Sequence, residues 1–90
     1  MAWTVRLSPE ARKNVQSILD IGLKARIEAA LYSMERDPFS TDVKKLIGNQ
    51  ERWRVRVGDW RIVFTIEQGQ LLVLVIAIAK RGDVYRLIER

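Results

Sequence analysis

Residues 53–64 read Trp53-Arg54-Val55-Arg56-Val57-Gly58-Asp59-Trp60-Arg61-Ile62-Val63-Phe64. Apolar and basic side chains take turns with a period of two, the period of a β-strand whose two faces meet different surroundings. Gly58-Asp59 interrupts the alternation as a two-residue hairpin loop, and glycine in first place suits a type II′ turn. That loop sets a register in which Val57 pairs with Trp60, Arg56 with Arg61, Val55 with Ile62 and Arg54 with Val63. Trp53, Val55, Val57, Trp60, Ile62 and Phe64 then share one face, the natural seat for helices. Arg54, Arg56 and Arg61 share the other. Two arginines directly opposite each other repel and cost stability. An anionic ligand explains such a pair, because phosphate relieves the repulsion. The plainer alternative is that the guanidinium groups fan into solvent or pair with Glu67 and Asp59.

Downstream, Gln68-Gly69 reads as a second turn, and Leu71 to Ala79 as an apolar strand buried on both faces. Continuing the pairing sets Leu72, Leu74, Ile76 and Ile78 beside the arginines. A bare aliphatic row of that size is an aggregation hazard, so the tail residues Val84, Leu87 and Ile88, or a partner protein, are expected to cover it. Upstream, Phe39 to Gln50 reads as a linker, and before it the period is 3.6. Ser8-Pro9 reads as an N-cap followed by proline in the first helical turn. The helix carries Ala11, Val15, Ile18 and Leu19 on one face and breaks at Gly22. A second helix carries Leu23, Ile27, Ala30, Leu31 and Met34 and ends before Pro38. Ala2 to Leu7 alternates as a short opening strand. The expected order is β-α-α-β-β-β, an α+β fold with an antiparallel sheet and a helical hairpin on one face. Ninety residues make one domain, 1–90.

Composition excludes whole classes of chemistry. With no cysteine and no histidine, there is no disulfide, no thiol nucleophile, no Ser-His triad and no thiolate or imidazole metal site. No metal or other cofactor is expected. The longest apolar run is far short of a bilayer span, and no signal peptide is visible, so the expectation is a cytoplasmic protein without membrane contact. Sixteen Lys and Arg against eleven Asp and Glu give a net charge of +5, which suits a polyanion. From Leu46 onward the basic residues are Arg52, Arg54, Arg56, Arg61, Lys80, Arg81, Arg86 and Arg90. The dominance of arginine matters, because its planar fork grips phosphate bidentately and stacks on bases.

Three stretches together resemble a known family: Lys45-Leu46-x-Gly48, the 53–64 hairpin, and Lys80-Arg81-Gly82-Asp83-Val84-Tyr85-Arg86. The pattern is similar to that of the RelE/ParE superfamily of toxins from type II toxin–antitoxin pairs, and it runs through essentially the whole chain. RelE-type members are ribosome-dependent endoribonucleases that cut mRNA in the ribosomal A site, whereas ParE-type members inhibit DNA gyrase without nuclease activity. The resemblance to the first type implies metal-free cleavage, in which the ribose 2′-hydroxyl attacks the adjacent phosphate. Carried over by position, Arg61 matches the arginine on the scissile phosphate and Arg81 the one near the leaving group. Tyr85 matches a tyrosine that stacks on a codon base. Lys45, Arg52, Lys80 and Arg86 are the further cations expected on RNA.

The departure from the family lies at Arg54 and Arg56, where the best-known RelE-type enzymes carry lysines, one of them the general base. Arginine holds phosphate but is a poor base. Lys80, an ionised Tyr85, Asp83 or a ribosomal RNA group are the alternatives. The resemblance also implies a cognate RelB-like antitoxin, with an acidic amphipathic segment that is disordered when free.

Overall fold

A computed structural model describes residues 3–39, 43–45, 52–80 and 82–83. The elements are β1 (Thr4–Leu7), α1 (Pro9–Gln16), α2 (Ile21–Arg36), β2 (Val43–Lys45), β3 (Trp53–Val57), β4 (Trp60–Glu67) and β5 (Leu72–Lys80), with a short 3-10 turn at Gln68–Gln70. They form a five-stranded sheet in the order β1-β5-β4-β3-β2. The α+β architecture expected from the sequence is therefore present, with two additions. A short strand, β2, occupies part of the expected linker and pairs antiparallel with β3. The opening strand β1 pairs parallel with β5, so the sheet is mixed.

The helices start where their caps dictate. Ser8 accepts a hydrogen bond from the Ala11 N–H and Pro9 takes the first helical position, its fixed φ matching the helix. α1 stops at Gln16, and α2 begins at Ile21 because the Asp20 carboxylate caps it by accepting from the Leu23 N–H. Gly22 thus lies inside the first turn of α2 and does not separate the helices. Leu19 falls between the helices and is 93% exposed, not on the buried face of α1. α2 ends at Arg36, ahead of a buried Pro38, as the proline requires.

Both helices lie on one face of the sheet. Ala11, Ile18, Ile27 and Met34 pack there with Val55, Val57, Ile62, Phe64, Val73, Val75 and Ile78 in a single core. Burying side chains of this size contributes about 1.5–3 kcal/mol each for the larger ones. Ile78 belongs to this core rather than to the arginine face. Its parity changes because Val63 pairs with Ala77 while Phe64 pairs with Val75, so Ile76 is the extra residue of a β-bulge. Past the end of β1, the helical layer bonds the free edge of β5. The Ser8 N–H donates to the Val75 carbonyl at 2.8 Å, the Ser8 hydroxyl donates to the Ile76 carbonyl at 2.8 Å, and Asn14 Oδ1 accepts from the Ile78 N–H at 2.9 Å.

The β4–β5 connection also differs from a Gln-Gly turn. The residue with left-handed backbone is Leu71 (φ 49°), not Gly69. A 3-10 turn absorbs Gln68–Gln70, and the Thr4 N–H holds the Leu71 carbonyl at 2.8 Å. Among the described residues, no helix is long and apolar enough to cross a membrane.

Candidate nucleic-acid interface

The sheet face away from the helices carries the cations. Gly58 has φ +60° and Asp59 is not in the left-handed region, as a type II′ turn requires. The tight turn fixes the hairpin in the expected register, with Arg56 opposite Arg61 and Arg54 opposite Val63. Strand alternation then puts Arg54, Arg56 and Arg61 on one side.

Their environments differ. Arg61 is only 5% exposed, and its Nη1 donates to the Trp60 carbonyl at 3.2 Å. Arg54 is half-buried and Arg56 exposed. The floor beside them is apolar and closed: Val63, Ala77 and Ala79 are buried and pack with Ile76, while Ala79 pairs with Arg61. Leu74, further along the same face opposite Thr65, is 38% exposed. A buried guanidinium next to an apolar floor exerts its charge in a poorly screened setting, which strengthens its hold on an anion.

The remaining candidates divide. Lys45 pairs with Trp53, on the helical face, with its Nζ 5.9 Å from the Trp53 ring centroid. Lys80 pairs with Trp60 and so leaves the sheet on the side opposite Arg61. Arg52 is half-buried just ahead of β3. Arg81, Tyr85 and Arg86, and the tail residues Val84, Leu87 and Ile88, lie outside the described residues. Asp83 is exposed. Two described cations missed by the sequence reading join the arginine face: Arg6, exposed and paired with Leu74, and Lys44, which pairs with Arg54. The signal for Lys44 was the strand at Val43–Lys45, which is too short to show a period. Among the described residues no three His, Cys, Asp or Glu side chains are grouped to hold a metal ion.

The same α+β arrangement, a sheet with two helices on one face, is the fold of small toxins of solved structure. Residues 5–85 match the family of the ParE toxin of the type II toxin–antitoxin system parDE. The chain belongs to that family, within the RelE/ParE superfamily. It is 26% identical over 89 residues to the toxin RelG of Mycobacterium tuberculosis, covering 96% of this chain and 99% of that one. Among solved structures, it resembles the archaeal RelE–RelB complex from Pyrococcus horikoshii OT3, with a TM-score of 0.78, 23% identity and coverage of 91% and 98% of the two chains. A mutant of E. coli RelE in the free state gives a TM-score of 0.78 at 16% identity, over 99% and 93% of the two chains. The protein is a toxin of a type II toxin–antitoxin system.

Proposed function

We propose that this toxin blocks translation by cutting mRNA on the ribosome, without a metal, at the arginine face. The observation that carries the reading is the Arg56–Arg61 pair: two cations set opposite each other, one of them buried, whose mutual repulsion a bound phosphate would relieve. In the reaction the 2′-hydroxyl oxygen bonds to the adjacent phosphorus as the bond from phosphorus to the 5′-oxygen breaks. A base takes the 2′ proton and an acid supplies one to the 5′-oxygen, leaving a 2′,3′-cyclic phosphate and a 5′-hydroxyl. Arg61, Arg56 and Arg54 stabilise the extra negative charge of the phosphorane, the largest single source of acceleration in such a step. By the family resemblance, Arg81 assists the leaving oxygen and Tyr85 stacks on a codon base, a contact worth about 1–3 kcal/mol. With Lys80 on the other side of the sheet, Tyr85, Asp83 or a ribosomal group is the better proton acceptor.

The same reading includes a RelB-like antitoxin, as in the RelE–RelB complex of Pyrococcus horikoshii. An acidic, amphipathic segment suits this face: its carboxylates meet the arginines, and its apolar side chains cover Leu74. The site of action is then the cytoplasm. Inhibition of DNA gyrase is the second reading, favoured by the match to the ParE family. Mapping mRNA ends after induction separates the two. New 5′-hydroxyl ends within codons, lost in Arg56→Gln, are expected; DNA breaks with intact mRNA would establish the gyrase reading instead.

A further inference from the structure

We infer that Lys44 is an RNA-binding cation of the arginine face and that its neighbour Lys45 is not. The inference rests on the ribonuclease reading above and extends its binding surface onto β2. Strand pairing sets Lys44 opposite Arg54, and two residues further along β3 it sets Arg56 opposite Arg61. Two like-charged pairs thus share one strand and one face. Each is unfavourable without a ligand, and one polyanion lying across both relieves them together. Lys44 is two strands from Arg61, about 10 Å across the sheet at the usual strand spacing, so the two engage different phosphates of one RNA strand. Lys44 is exposed, with its ammonium free to follow a backbone phosphate. Lys45 leaves the sheet on the other side, beside Trp53.

Lysines on an edge strand also discourage sheet-to-sheet pairing, and β2 is an edge strand. Both lysines serve that purpose equally, so a difference between them isolates the RNA contact. The test measures binding of the full chain to a labelled oligouridylate over a series of salt concentrations. Lys44→Gln is expected to weaken binding about three- to tenfold at low salt and to reduce the salt slope by about 0.7, as losing one phosphate contact on a single strand does. Lys45→Gln is expected to change affinity by less than about twofold, and Lys44→Arg to keep it, since charge alone is required. Relief of the repulsion with Arg54 is expected to raise the thermal midpoint of Lys44→Gln even as it binds less, which loss of a structural contact would not do. Equal effects of the two glutamine variants, or loss of binding in Lys44→Arg, would overturn the inference while leaving the ribonuclease reading intact. A parent chain that does not bind the oligouridylate at low salt would also overturn the inference, while the mRNA ends mapped after induction decide the ribonuclease reading separately.

Discussion

Arg56 and Arg61 are direct partners across the β3–β4 hairpin, and only the second is buried, at 5% exposure. One member of the pair is held by the protein while the other meets solvent. The pair therefore sets a tension between stability and activity that substitutions can resolve.

Replacing the exposed member releases that tension cheaply. Arg56→Gln removes the like-charge pair and is expected to stabilise the fold by about 0.2–1 kcal/mol while lowering toxicity. Urea unfolding and growth arrest after induction, measured on the same variant, check the opposed signs.

Arg61 is the buried member of the pair, on a strand inside the sheet. Because it is buried against the Ala79 strand position, Arg61→Ala removes packing as well as charge. A loss of about 1–3 kcal/mol in unfolding free energy is expected, along with loss of activity. Circular dichroism at the assay temperature shows whether the variant is still folded when its activity is scored.

Ser8 joins two elements, α1 and β5, through one hydroxyl. It accepts from the Ala11 N–H at 3.0 Å and donates to the Ile76 carbonyl at 2.8 Å. Ser8→Ala is expected to cost about 1–2 kcal/mol, the usual loss of an N-cap with a further hydrogen bond. Hydrogen exchange should show faster opening at Ile78, whose N–H is held by Asn14 on the same helix.

Gly58 sits at φ +60°, and a Cβ there would lie 3.1 Å from Arg26 Nη2. The flexible arginine can move, so the backbone sets the cost. Gly58→Ala is expected to lose about 1–2 kcal/mol, and Gly58→Val more, since branching adds strain in that region. Chemical denaturation of both variants gives the order.

The exposed apolar residues at the α1–α2 junction should be nearly silent. Leu19 and Ile21 are 93% and 85% exposed, so Leu19→Ser and Ile21→Ser are expected to stay within about 0.5 kcal/mol of the parent. Ile27→Ala, in the fully buried core, is expected to cost about 2–5 kcal/mol. Thermal unfolding of the three compares them directly.

The sequence by itself determined the hairpin and its cationic face. Alternation over 53–64 and a two-residue loop leave one register, and a shift by one residue would bury arginines under the helices. Ser8-Pro9 and Pro38 marked helix ends for equally local reasons, one a cap and the other a steric limit. Those signals act over a few residues and need no knowledge of the remainder of the chain.

Only the tertiary structure decided the rest. The bulge at Ile76, which sends Ile78 into the core, accompanies a hydrogen bond donated by the Ser8 hydroxyl to the Ile76 carbonyl and one accepted by Asn14 from the Ile78 N–H, whose partners lie 68 and 64 positions apart. Leu71 takes the left-handed turn position in place of a nearby glycine, with its carbonyl held by Thr4 of the neighbouring strand. Lys44 joined the arginine face, and Lys45 left it, because a three-residue strand pairs with β3. So short a strand has no readable period; its side chains take their faces from the partner strand, through hydrogen bonds that exist only once the sheet is assembled.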